Sequence, residues 1–67
     1  MSNLILELKV KTGADIEDVC YEAAELASNL KINVVFEFNG VIMTVNKSSN
    51  YKDLVDKYKQ IKINNKQ

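Results

Sequence analysis

Asn39-Gly40 stands between two apolar runs, Val34-Val35-Phe36-Glu37-Phe38 and Val41-Ile42-Met43-Thr44-Val45. No other feature of the chain limits its fold so tightly. An Asn-Gly pair supplies the two positive-φ residues of a type I′ turn, whose twist matches that of the strands it joins. A two-residue turn also fixes the register. Pairing Phe38 with Val41 places Phe36 opposite Met43 and Val34 opposite Val45, so these six apolar residues share one face. The other face then pairs Glu37 with Ile42 and Val35 with Thr44. A slip by one residue would mix the two sets, so turn chemistry and hydrophobic pattern select the same hairpin.

The remaining segments follow from periodicity. Leu4, Leu6, Leu8 and Val10 alternate with Ile5, Glu7, Lys9 and Lys11, which predicts a half-buried strand. Thr12-Gly13 breaks it, and Thr12 or Asp15 can cap a helix, with Asp15 or Asp18 as the carboxylate of a capping box. From Asp15 to Leu30 the apolar residues Ile16, Val19, Cys20, Ala23, Leu26, Ala27 and Leu30 form one helical stripe. Asn46 to Asn50 reads as a polar loop. Ser49 or Asn50 can cap a second helix carrying Tyr51, Leu54, Val55, Tyr58 and Ile61. The tail 62–67 loses the pattern and is expected to fray.

These elements predict a single α+β domain over residues 1–67, a two-layer β-α-β-β-α sandwich with both helices on one face of a three-stranded sheet. A right-handed crossover that leaves the hairpin's second strand beside the first gives an antiparallel sheet of order 1-3-2. Order 1-2-3, with strands one and two parallel, is the alternative.

Composition narrows the chemistry. The chain has 67 residues, one cysteine and no histidine, so neither an internal disulfide nor a Cys/His zinc site is expected. A domain this small has little stability to spare, which favours self-association. Nine lysines balance nine acids and arginine is absent, leaving no global field to draw the chain to nucleic acid or an anionic membrane. The run Leu4 to Leu8 is too short for a secretory leader or a membrane span, and a cytoplasmic location is expected.

No catalytic residue, metal ligand or cofactor is predicted. Cys20 lies on the apolar stripe with no histidine to activate it, so it reads as inert. Carboxylate pairs such as Glu22 and Glu25, or Asp53 and Asp56, fall on solvated helix faces, outside the kind of cleft in which catalytic carboxylates sit. Gly13 could open a helix N-terminus to an anion, but a lone glycine there is ordinarily a turn. The acids of the first helix and the lysines of the second suit the helix dipoles and each other.

Two groups resist such readings. Tyr21, roughly opposite the apolar stripe and among Glu17, Asp18 and Glu25, has the character of an interface aromatic, and these four are the candidate partner site. On the outer face of the sheet, Ile5, Val35, Ile42 and Thr44 are the candidate self-association surface. They form a patch if strands one and three are neighbours.

The stretch Phe36-Glu37-Phe38-Asn39-Gly40-Val41, followed by Ser49-Asn50-Tyr51 and a helix with Leu54, Val55 and Tyr58, resembles small phage and prophage proteins of low-GC Gram-positive bacteria. Those share a strand, a helix opening with acids, an FNG-type hairpin and a closing helix. The resemblance carries over no catalytic residue. It implies a context in which short proteins bind and inhibit host factors or defence systems. The expectation is a non-enzymatic, homo-oligomeric binding protein with a protein partner. The alternatives are an accessory nucleic-acid binder using second-helix lysines, or a sponge for a nucleotide-like ligand stacked on Tyr21, Tyr51 or Tyr58.

Overall fold

The structure, a computed structural model, describes residues 3–64. Its elements are β1 (Ile5–Leu8), α1 (Ile16–Leu30), β2 (Asn33–Phe38), β3 (Val41–Val45) and α2 (Tyr51–Asn64). The hairpin has the expected register: Phe38 pairs with Val41, Phe36 with Met43 and Val34 with Val45. Asn39 and Gly40 take φ of 51° and 81°, the pair of positive values that a type I′ turn needs.

The sheet departs from the expected order. Its strands run β1-β2-β3, with β1 parallel to β2 and β2 antiparallel to β3, so the sheet is mixed. The expected antiparallel 1-3-2 sheet is therefore corrected to the 1-2-3 alternative. The helical crossover brings β2 directly beside β1, as in a simple parallel β-α-β unit, and leaves no gap between them for β3. Being central suits β2. Val34 and Phe36 are fully buried on its helix side, and both of its edges are paired.

Ala23 and Ala27 put no bulk between α1 and the sheet, and with Cys20 they are completely buried. Helix α1 rests on β2 and, at fewer points, on β3, while α2 rests on β3 and against α1. Leu54, Val55 and Tyr58 of α2 close the core over Val41, Met43 and Val45. Strand β1 stands to one side, and its helix-facing Leu6 and Leu8 are only half-buried.

The helix ends differ from expectation at α1 and agree at α2. Asp15 occupies the N-cap of α1 but its side chain makes no capping hydrogen bond, so the expected box does not form. A turn does the work instead: Ala14 N donates to Lys11 O at 3.1 Å across Gly13, whose φ is 89°. At the other end Lys31, not glycine, takes the left-handed conformation (φ 58°) and donates its N–H to Ala27 O. Asn50 caps α2, its Oδ1 accepting from Lys52 N at 2.8 Å. Helix α2 continues through Asn64. The fraying expected from residue 62 therefore does not begin there, and the rest of that tail, 65–67, lies outside the described residues.

Candidate functional site

The first candidate surface is the seam between the helices. Residues four apart on a helix lie one above another, so Glu17, Tyr21 and Glu25 form a single stripe along α1. Tyr21 is 51% exposed. Its ring meets the ring of Tyr51 edge-on, with centroids 5.4 Å apart at 86°, and its hydroxyl donates to Glu25 Oε2 at 3.5 Å. The Asn50 cap holds Tyr51 in the first turn of α2 and so places it in this contact. Glu17 then lines a groove with Tyr51, Lys52, Asp56 and Lys59, where one acid of α1 meets two lysines and an acid of α2. On the far side of the tyrosine pair, Tyr21, Glu25, Asn29 and Asn50 border a second depression.

Asp18 does not join this stripe. One position on from Glu17, it turns with Glu22 towards the cleft between α1 and β1. The expected four-residue site is thus a three-residue stripe completed by Tyr51, Lys52 and Lys59. Sequence reasoning placed Tyr51 on the core stripe of the second helix. Its pairing with Tyr21 has no local signal, because only the packing of two distant helices creates it.

The second surface is the sheet face that neither helix covers. Ile5 sits opposite Asn33, Val35 lies between Glu7 and Thr44, and Ile42 faces Glu37. Because β2 separates β1 from β3, the expected patch built on neighbouring first and third strands does not form. Ile5, Val35 and Ile42 make a diagonal line across three strands, with Glu7 and Glu37 on its flanks. Diagonal neighbours sit about 7–8 Å apart, and two such faces brought together would have to desolvate four carboxylates.

The third surface was not singled out from sequence. Beside β1, a cleft lined by Leu8, Val10, Val19 and Leu26 opens to solvent, with Lys9, Lys11, Asp18 and Glu22 on its rim. Leu4, 71% exposed, lies apart from this cleft, in a depression with Lys31, Ile32 and Asn33. A warning was present in the pattern: the strand needs a full apolar cover for Leu4, Leu6, Leu8 and Val10, and the helical stripe is already committed to the hairpin.

Several groups are engaged elsewhere. Burial pushes the Cys20 thiol up from 9.0 to about 11, which keeps it protonated near neutrality and a poor nucleophile. Tyr58 is buried, meets Phe38 edge-on at 5.4 Å, and accepts a hydrogen bond from Asn39 Nδ2 at 3.1 Å. It offers no face to a base. The N–H of Ala14, at the mouth of α1, is already bonded to Lys11 O. Among the described residues no three Cys, Asp or Glu side chains come together as metal ligands. Among them, too, no helix is long and apolar enough to cross a membrane. No protein-family model, curated protein or solved structure matches the chain.

Proposed function

We propose that this chain works by binding: it is a non-enzymatic protein that self-associates and offers the α1–α2 seam to a protein partner. The observation that carries the reading is the Tyr21–Tyr51 pair, set at the surface between Glu17 and Glu25 with lysines of α2 alongside. Half-exposed aromatics in a charged rim are the residues on which interface energy concentrates. Each ring already braces the other, so a partner meets a rigid, pre-ordered anchor and loses less side-chain entropy on ordering it. The likeness of the hairpin and closing helix to small phage proteins gives the class of partner as a host protein, inhibited by occupation of its surface, in the cytoplasm.

The test compares capture by wild type and by Tyr21→Ala from the same host extract, followed by calorimetry on the purified partner. A true partner is retained by wild type and binds the variant at least about tenfold more weakly, as loss of an anchor predicts. Equal retention by both proteins would overturn the seam. Submicromolar affinity for single- or double-stranded DNA at ~150 mM salt, where phosphate contacts are already weakened, would replace the protein partner with nucleic acid.

A further inference from the structure

The asparagine that shapes the hairpin is also the side chain of this molecule most open to covalent change. Asn39 is the one asparagine of the chain followed by glycine, and both residues are exposed. Apart from the neighbours in the chain, nothing lies within 4 Å of where a Gly40 side chain would begin. The glycine nitrogen is therefore unshielded, and it can attack the side chain of the asparagine before it. In that step Gly40 N bonds to Asn39 Cγ, the Cγ–Nδ2 bond breaks, and Nδ2 leaves as ammonia with the proton that Gly40 N gives up. Water then opens the five-membered succinimide ring. Addition at Cγ leaves aspartate; addition at the main-chain carbonyl leaves isoaspartate, in which the backbone runs through Cγ. No oxidant or reductant takes part.

The folded hairpin forbids the first step. A type I′ turn holds ψ of its leading residue near ~30°, which sets the next nitrogen roughly opposite Cβ about the Cα–C bond. Ring closure needs the two nearly eclipsed, so Asn39 must leave the turn before Gly40 N can reach Cγ. Two contacts from α2 resist that rotation. The departing nitrogen, Nδ2, is the atom that donates to Tyr58 Oη at 3.1 Å. Lys62 Nζ donates to Asn39 O at 3.4 Å, the carbonyl of the peptide that has to turn.

We infer that Asn39-Gly40 is a deamidation site kept silent by the docking of α2, so that its conversion records the time the hairpin tip spends released. The change is one-way. Isoaspartate adds a carbon to the backbone of a two-residue turn whose register depends on having none to spare. Either product also replaces the Nδ2 donor by a carboxylate oxygen, so the bond that Asn39 donates to Tyr58 cannot re-form.

Peptide mass mapping of the full chain, incubated at mildly alkaline pH, follows conversion at Asn39 with time. The chain unfolded in urea is expected to convert fastest, and folded wild type at least about tenfold more slowly. Tyr58→Phe converts about fivefold faster than folded wild type, the factor that one hydrogen bond is worth. Leu6→Ala, which loosens the fold comparably but away from the tip, converts at the wild-type rate. Converted protein, separated by its added negative charge on anion exchange, unfolds at lower denaturant than unconverted protein. Asn39 left intact in urea would overturn the site itself. Equal rates in folded wild type and in urea would overturn its protection by the turn. A Tyr58→Phe rate no greater than that of Leu6→Ala would overturn the role of α2, and converted protein of undiminished stability would overturn the one-way loss.

Discussion

Strands β1 and β3 border the same sheet, and each alternates apolar residues on the helix side with mixed residues outside. Their fates are unlike. Val41, Met43 and Val45 of β3 are 5%, 1% and 0% exposed, while Leu6 and Leu8 of β1 remain half-buried. Helix α2 follows β3 through a short loop and is fastened to the hairpin tip, where Tyr58 accepts from Asn39 Nδ2 and Lys62 Nζ donates to Asn39 O at 3.4 Å. Helix α1 leans on β2 and on α2. Both helices are therefore centred over the hairpin and neither over β1. An alternating pattern announces a face that wants cover. It does not say whether the chain itself provides the cover, and here the difference separates a finished core from a surface available for association.

The largest expected effect is on the β3 side. Met43→Ala removes a fully enclosed side chain and should cost about 2–5 kcal/mol, whereas Leu6→Ala should cost only about 1 kcal/mol in dilute, monomeric protein. Denaturant melts of the two variants measure the contrast, and equal losses would erase it.

Cys20 reports on the same enclosed half. Its folded pKa, raised to about 11 from 9.0, means that above pH 9 the unfolded chain releases a proton the folded one retains. The stabilisation is thus complete below pH 9 and is lost as pH rises through 11, up to about 2–3 kcal/mol. The difference between wild type and Cys20→Ala isolates the thiol. At pH 8 the native thiol should label slowly and the denatured one fast; quick native labelling would show that this half is not closed.

Tyr58→Phe keeps the ring against Phe38 and deletes the bond from Asn39, an expected loss of about 1 kcal/mol. A larger loss would make the tip fastening, more than burial, what holds α2 over β3. Smallest of all, Leu4→Lys should leave monomer stability within about 0.5 kcal/mol. A greater drop would mean that β1 is better covered than its exposure indicates.

The sequence was most informative where short-range chemistry and burial agree. Asn39-Gly40 forced two positive-φ residues, and six matching apolar positions then determined the hairpin to the residue. The two alanines of α1 likewise marked its contact with the sheet. Strand order was not legible, because Leu6 and Leu8 face the helices equally well at either position of β1. Only the preference of Val34 and Phe36 for complete burial, with apolar Val35 between them, hinted that β2 is central. The site was half legible. Spacing put Glu17, Tyr21 and Glu25 together, but Tyr51 and Lys59 reach them through helix packing, and the same packing turns Asp18 away. The Asn39–Tyr58–Lys62 contacts join residues with no sequence pattern in common.

Fastening α2 to the hairpin tip also divides the molecule in time. Residues 33–64 form a β-β-α unit whose contacts join near neighbours in the chain, while β1 can pair only after the whole span from Ile5 to Asn33 has been closed, with the loop entropy that entails. Hydrogen exchange should therefore find the amides of β1 opening well before those of β2 and β3, by a partial unfolding that releases β1 and leaves the hairpin and α2 in place. In that open form the edge of β2 is bare, and it is there that a strand from another molecule could replace the chain's own.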